Sequence, residues 1–162
     1  MKKIPVQELT HEAFYRYGSF HNMTNAAELK DAHSDNEFAA DLLSLDLHDE
    51  IASFSIARVS PCEMTIKAYE YHCHTCEGIL PLDGDCIIFV GPSSWNPSPE
   101  NLEAFRVPRG TMVRLNLGVL HGRQFCCGKE PVNVLIVLPV RTYANDCVFI
   151  ELPEERQQQI VF

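Results

Sequence analysis

The sequence lacks the long apolar runs and the basic charge that would indicate a membrane protein or a nucleic-acid-binding protein. No apolar run approaches the ~18 residues that a membrane-spanning helix requires. The 13 Lys and Arg residues are outnumbered by 22 Asp and Glu residues, which gives a formal net charge of −9, whereas nucleic-acid binding needs a basic surface. The lysines after Met1 are not followed by the apolar stretch of a signal peptide. We therefore expect a cytoplasmic protein that binds neither membranes nor nucleic acid.

The cysteines do not show the pattern of a disulfide-stabilised domain. There are seven of them, an odd number, and their spacing is irregular, unlike that of small secreted frameworks. Cys73 and Cys76 have the C-x-x-C spacing of zinc and redox sites, but no second pair of this spacing follows. We expect most of the cysteines to be small buried hydrophobic residues.

A succession of short β-rich runs predicts an all-β fold in a single domain of residues 1–162. The length suits one domain, and a hydrophobic content of 46% is enough for a core. The predicted strands are 51–59, 64–74, 78–81, 86–90, 105–107, 112–117, 123–127 and 132–139. Short strands at such regular spacing indicate a sandwich or barrel, with its core over about residues 51–150.

Short helices are expected near the two ends of the chain. Thr10 is a suitable N-cap for a helix that ends at Gly18, with Phe14 and Tyr17 on one face. Pro153 and the carboxylates after it predict a second helix over residues 153–160. Residues 26–40 show no strong periodicity, and we expect a loop or a frayed helix there.

Histidine and glutamate residues around position 72 form the candidate site. In the predicted strand 64–74, Glu70, His72 and His74 occupy alternate positions and should project from one face. Glu77 follows after a two-residue break, and His121 comes from a distant part of the chain. Imidazoles and a carboxylate from neighbouring strands suit a divalent cation such as Mn, Zn, Ni or Fe. We predict that His72, His74, Glu77 and His121 are metal ligands.

The order of these residues resembles the two sequence motifs of the cupin superfamily. The matching residues are His72-x-His74-x-x-Glu77 with Gly84, followed by Pro108-x-Gly110 and His121. The gap before the glutamate is shorter than is usual for cupins, and the distance to the last histidine is longer. The resemblance implies a cupin-like double-stranded β-helix (jelly-roll) barrel with short terminal helices.

A longer set of residues resembles the ureidoglycolate lyase family of allantoin and purine degradation. The matching residues are Phe14-x-x-Tyr17-Gly18, Ile56-x-Arg58-x-x-Pro61, Glu70-x-His72, Pro81, Leu102-x-Ala104-Phe105, Gly118-Val119-Leu120-His121, Arg141 and Asn145-Asp146-Cys147. This resemblance implies a homodimeric enzyme that splits ureidoglycolate into glyoxylate and urea. His74 is not a general family feature, and position 77 is often an amide where this chain has Glu77. These departures favour a metal here, and they leave open another small hydroxy or keto acid as the substrate.

The resemblance and the strand pattern together suggest catalytic roles. Glu70 is our candidate for the general acid/base, and an alternative role for it is to orient His72. We also predict that His121 is a catalytic residue. Other metal-dependent cupin chemistry, such as that of an isomerase or an oxygenase acting on a small acid or sugar, is an alternative function, and so is non-catalytic ligand binding.

A small carboxylate substrate also needs a cationic or polar binding partner. Arg58 or Arg141 can bind a carboxylate through two parallel hydrogen bonds, and Asn116 is a further candidate. Alternatively, each arginine forms a structural ion pair, and Asn116 lies at a turn or a strand edge.

Overall fold

Two β-sheets face each other and enclose most of the apolar core. The structure is a computed structural model that describes residues 1–25, 30–31 and 37–162. In spatial order, the five-stranded sheet contains β2 (Gly18–Asn22), β11 (Thr111–Leu115), β8 (Glu77–Pro81), β13 (Val132–Pro139) and β5 (Ala52–Val59). The six-stranded sheet contains β12 (Phe125–Cys126), β9 (Cys86–Val90), β10 (Glu103–Val107), β1 (Lys2–Glu8), β15 (Gln158–Val161) and β6 (Thr65–Ile66).

The remaining elements are short. Two further strand pairs are β7 (Ala68–Tyr71) with β14 (Val148–Glu151), and β3 (Lys30–Asp31) with β4 (Glu37–Phe38). The α-helices of the described residues are α1 (His11–Phe14) and α2 (Thr142–Asn145), and 3-10 turns lie at Pro99–Asn101 and Glu154–Arg156. The predicted all-β barrel is therefore confirmed. No helix in the described part of the chain has the length and hydrophobicity to cross a membrane.

The N-terminal helix forms where the sequence predicts it. The Thr10 hydroxyl accepts a hydrogen bond from the Ala13 N–H at 3.2 Å and so caps the first turn. Phe14 and Phe105 then pack edge to face with ring centroids 5.3 Å apart. The helix is predicted to end at Gly18, but Gly18 instead begins β2. A Cβ atom there would collide with the Arg114 carbonyl, so close strand approach requires glycine.

The C-terminal segment corrects two predictions. The expected helix over residues 153–160 is a single 3-10 turn followed by strand β15, which pairs in parallel with β1. Ile4 and Ile160 are opposite each other in this pairing, and both are buried. Burial of these side chains against another strand outweighs the local helix signals. Since β1, β2 and β15 belong to the two sheets, the barrel extends beyond the predicted core of residues 51–150.

Strand β9 links two apolar clusters because both of its faces are buried. Cys86, Ile88 and Val90 join the cluster between the two sheets, whereas Ile87 and Phe89 point the other way into a second cluster. The first cluster also contains Ile79, Val113, Leu115, Val134 and Ile136 from the five-stranded sheet. The predicted loop or frayed helix over residues 26–40 lies mostly outside the described residues.

Asp85 connects β9, β10 and the turn after β10. Its carboxylate accepts hydrogen bonds from Arg106 Nε at 2.9 Å, Arg106 Nη2 at 2.6 Å and the Arg109 backbone N–H at 2.9 Å. Partial burial acts against ionisation, but the Arg109 and Arg106 contacts outweigh it and hold the pKa of Asp85 below its usual value. The ionised form therefore stabilises the fold.

We expect the Asp85→Asn substitution to lower stability in a pH-dependent way. The pKa of Asp85 is lower in the folded chain than in the unfolded chain. Its contribution to the free energy of unfolding is therefore fully present above the unfolded pKa of about 4, and it is lost as the pH falls through the pKa of the folded chain. Urea unfolding at about pH 7 should show a lower midpoint for the variant, and the difference should shrink below about pH 4. Glu130→Gln, at an exposed position, is the matched control. An equal difference between wild type and Asp85→Asn at both pH values would contradict this account.

Candidate metal and catalytic site

The side chains of His72 and His121 converge on one carboxylate oxygen of Glu77. Glu77 Oε2 lies 3.1 Å from His72 Nε2 and 2.8 Å from His121 Nε2. The three residues are almost completely buried, with exposed fractions of 2% for His72, 4% for Glu77 and 3% for His121. Such close contacts need positive charge between the carboxylate and the ring nitrogens, and either protons or a cation can supply it.

Three strand segments bring these residues together. Glu77 is the first residue of β8, and it lies opposite Leu115 on the face of the sheet that points into the core. His121 forms an antiparallel bridge with Glu70 of β7, in which the two backbone N–H groups donate across at 2.9 and 2.7 Å. His72 follows β7 directly, and its carbonyl accepts a hydrogen bond from Gly118 N–H at 2.7 Å. The backbone therefore positions all three side chains.

Backbone carbonyls orient both imidazole rings. His72 Nδ1 lies 2.6 Å from the Asp146 carbonyl oxygen, and His121 Nδ1 lies 2.8 Å from the Val119 carbonyl oxygen. A carbonyl accepts hydrogen bonds and cannot donate them, so each Nδ1 carries a proton. With Nδ1 protonated, each Nε2 can present a lone pair to a cation, as metal-ligating histidines do. The donor set fits a divalent metal on this ground.

The electrostatics of the buried pair are consistent with this fit. Burial raises the pKa of Glu77, but the charge and hydrogen bond of His121 and the hydrogen bond of His72 outweigh burial and hold the Glu77 pKa below its usual range. Burial lowers the pKa of His121, and the neighbouring Glu77 carboxylate more than reverses this effect. The site therefore favours an ionised carboxylate beside a protonated imidazole, and a metal, which binds the ionised carboxylate and the neutral imidazole, would displace the ring proton.

Glu70 lies beside this cluster. Among the described residues, ligand atoms of Glu70, His72 and His121 lie within 4.8 Å of one another. Cys147 Sγ donates a hydrogen bond to Glu70 Oε2 at 3.1 Å. Burial, reinforced by this hydrogen bond and the Glu70 charge, raises the pKa of Cys147 to about 12, so the thiol stays protonated. The ring nitrogens of His72 are hydrogen-bonded to Asp146 and Glu77, so the role of orienting His72 falls to Asp146 and not to Glu70.

The structure places His74 outside the cluster, which corrects the predicted set of four ligands. Its side chain is 84% exposed, and Nδ1 lies 3.0 Å from Asp146 Oδ1. Strand β7 ends at Tyr71, so the alternation of side chains that would align His74 with His72 does not continue. The C-x-x-C pair of the same loop does not form a site either, because Cys73 is exposed and Cys76 is buried.

The residues predicted to bind the substrate also lie elsewhere. Arg58 is exposed on the edge strand β5, on the face that points away from the core. Arg141 is exposed at the start of α2, in a left-handed backbone conformation with φ of 66°. Asn116 Oδ1 accepts a hydrogen bond from Arg114 at 2.9 Å. Arg114 points to the opposite face of its sheet from Leu115, so this pair is directed away from the site.

Sequence reasoning gave no role to the segment of residues 142–147, which lies over the site. The Asp146 carbonyl orients His72, and its carboxylate accepts hydrogen bonds from the backbone N–H groups of Cys73 at 2.9 Å and His74 at 2.8 Å. Tyr143 of α2 is 60% exposed. Partial burial and the charges of Glu77 and Glu70 raise its pKa to about 12. Asp146 lies within the family-like stretch 145–147, which is the signal that could have identified this segment.

Comparisons with known proteins found similar solved structures. A solved structure of Bacillus subtilis oxalate decarboxylase, from work on its Mn(II) centres, aligns with this chain at 17% identity and a TM-score of 0.45. A second oxalate decarboxylase structure, from work on the substrate binding mode, aligns at 17% identity and a TM-score of 0.44. Each alignment covers 65% of this chain and 27% of the other, so this chain spans only that fraction of those proteins. No curated protein matches the sequence significantly.

The sequence model of one family matches nearly the whole chain. The match extends over residues 1–159 and is to the family described as ureidoglycolate lyase. It includes every residue of the cluster around Glu77 and of the segment 142–147. The chain therefore belongs to the ureidoglycolate lyase family.

Proposed function

We propose that the chain is a metal-dependent lyase that splits ureidoglycolate, or a closely similar small hydroxy acid, into glyoxylate and urea. Family membership supports the reaction class. The observation that carries the proposal is the convergence of His72 Nε2 and His121 Nε2 on Glu77 Oε2, at 3.1 and 2.8 Å. Two imidazoles and a carboxylate in a buried site bind a divalent cation, and Mn, Zn, Ni and Fe all suit this donor set. The proposed ligands are His72, Glu77 and His121.

The proposed reaction moves one proton within the substrate. A bound cation supplies Lewis-acid chemistry that lowers the pKa of a coordinated hydroxyl. Glu70 accepts the hydroxyl proton as the new C=O bond forms, and it returns that proton to the departing urea nitrogen as the C–N bond breaks. The step balances without water or an oxidant. The thiol of Cys147 donates to Glu70 Oε2, which leaves the other carboxylate oxygen for the proton transfer.

We expect metal binding to depend on His72 and His121 and not on His74. Wild type incubated with Mn, Zn, Ni or Fe and then dialysed should retain about one ion per chain by elemental analysis. His72→Ala and His121→Ala should each weaken the affinity by at least the roughly 10- to 100-fold that loss of an outer-shell partner costs.

His74→Ala is the matched control for this experiment, because the His74 side chain is 84% exposed and faces away from Glu77. It should retain metal like wild type. Wild type that retains none of the four metals would contradict the proposal. Loss of metal in His74→Ala as well as in His72→Ala and His121→Ala would support the four-ligand set predicted from the sequence.

We expect Glu70→Gln to lose turnover while the protein stays folded. Release of glyoxylate and urea from ureidoglycolate should fall by roughly 10²- to 10⁴-fold in kcat, the range typical of a lost general acid/base. Elemental analysis of the same sample separates this role from metal binding, because a ligand substitution removes activity and metal together. Glu130→Gln, at an exposed carboxylate between β12 and β13, is the control. Full activity of metal-loaded Glu70→Gln would remove Glu70 from the mechanism.

The same assays distinguish the other functions that a metal-binding cupin-like barrel supports. Oxygen consumption with iron-loaded protein would indicate an oxygenase. Conversion of a small acid or sugar without release of urea would indicate an isomerase. Binding of a small acid without turnover in any metal-loaded form would indicate a non-catalytic ligand-binding protein.

We propose further that the protein is a cytoplasmic homodimer, as the family resemblance implies. Its free cysteines suit a reducing compartment. Phe54 and Ile56 of β5 are 68% and 58% exposed, on the outer face of the five-stranded sheet, and exposed apolar side chains of this kind favour association. Light scattering should give about twice the monomer mass of 18.3 kDa. Phe54→Glu combined with Ile56→Glu should give the monomer, and a monomeric wild type would contradict the proposal.

A further inference from the structure

A cleft of about 420 Å³ lies next to the candidate site. Its lining includes Glu70 and also Gly122, the residue after His121, so the cleft borders the metal-binding cluster. Apolar walls come from Ile66, Ala68, Phe89 and Phe149. This volume and a mostly apolar lining with few polar groups are typical of small-molecule sites.

Two cations, Lys67 and Arg123, also line this cleft. The guanidinium of Arg123 lies over the ring of Phe125, 5.4 Å from its centroid, and Phe125 itself is fully buried. This cation–π contact restrains the guanidinium at the cleft. A restrained planar guanidinium loses little entropy when it binds a carboxylate through two hydrogen bonds.

In the part of the chain that the structure describes, Arg123 has no carboxylate partner, unlike Arg16 and Arg106. Arg16 is paired with Glu103 at 2.5 Å, and Arg106 is paired with Asp85 at 2.6 Å. Arg123 instead contacts the thiol of Cys62 at 3.5 Å, and within the described parts of the chain it forms no salt bridge to a carboxylate. A thiol is a weak acceptor, so the guanidinium retains donors that a carboxylate ligand can use.

Gly122 allows close packing at this end of the cleft. A Cβ atom at this position would lie 2.8 Å from Cζ of Phe89, a residue of the cleft wall. The absence of a side chain therefore allows the segment that carries both His121 and Arg123 to lie close to Phe89 without displacing it.

We propose that Arg123, assisted by Lys67, binds the carboxylate of the substrate, and that the cleft accommodates a small 2-hydroxy carboxylate with its hydroxyl-bearing carbon at Glu70. This proposal rests on the proposed lyase function, and it names the residues that recognise the acid. Arg123 is a binding residue in this account, because the proton transfer belongs to Glu70. The other carboxylate of the lining is Glu63, so the cleft carries two cations, Lys67 and Arg123, and two carboxylates, Glu63 and Glu70.

The test compares glycolate with glycolamide, its uncharged analogue, by calorimetric titration of metal-loaded protein. Wild type should bind glycolate more tightly than glycolamide. Arg123→Gln should weaken glycolate binding by roughly 10- to 100-fold, the effect of removing a charged hydrogen-bond partner, and should leave glycolamide binding unchanged. Arg123→Lys should show a smaller loss, because it keeps the charge and loses the planar pair of donors. Arg109→Gln, at an exposed arginine outside the cleft lining, is the matched control and should behave like wild type.

The outcomes separate this proposal from the lyase proposal. Failure to cleave ureidoglycolate would contradict the lyase function. Because glycolate titration needs no turnover, it would still decide the role of Arg123. Equal affinity of wild type for glycolate and glycolamide, or unchanged glycolate affinity in Arg123→Gln, would overturn the carboxylate subsite. A loss confined to Arg58→Gln or Arg141→Gln would overturn it as well. If Arg123→Gln fails to fold, Lys67→Gln and Arg123→Lys decide, since both must weaken glycolate binding.

Discussion

The contact on which the site depends is the buried Glu77 carboxylate between the imidazoles of His72 and His121. A carboxylate removed from water is costly unless positive charge compensates it. Both Nε2 atoms lie within hydrogen-bonding distance of the same oxygen, so the positive charge is concentrated at one point in the barrel. This geometry joins β8, the end of β7 and the segment before β12 around a single centre, and it explains why charged residues occupy an interior position among apolar neighbours.

The segment 142–147 completes the site from outside the two main sheets. The Asp146 carbonyl holds Nδ1 of His72 at 2.6 Å, the Asp146 carboxylate anchors the loop that follows β7, and Cys147 contacts Glu70. An imidazole binds a metal well when its second nitrogen has a fixed partner. The orientation of the His72 ring therefore depends on Asp146, more than 70 positions later in the chain, and a change in this segment would alter the site without removing His72, Glu77 or His121.

Part of this organisation can be predicted from local sequence. The strands between residues 51 and 139 follow from short apolar runs with turn residues between them, and α1 follows from the Thr10 cap. The sequence does not predict strands β1 and β15, because β1 is stabilised by pairing with β10 and β15, and β15 also pairs with β6, which local propensity does not report. Of the four ligands predicted from the sequence, His72, Glu77 and His121 do come together with Glu70. His74 does not, because it lies three residues past Tyr71, the end of β7, where strand alternation no longer holds.

The sequence by itself determines the residue types of the site, their order and the alternation of Glu70 with His72. These features predict a metal-binding barrel of the cupin kind. The sequence does not show which arginine faces the cleft. Arg58, Arg141 and Arg123 are chemically equivalent in the sequence, and only the folded chain shows that Arg123 lines the cleft while Arg58 faces outward from an edge strand. The physical reason is that a side chain's neighbours across a barrel are set by strand register and sheet packing between distant segments, whereas local sequence determines only the spacing of side chains along each strand.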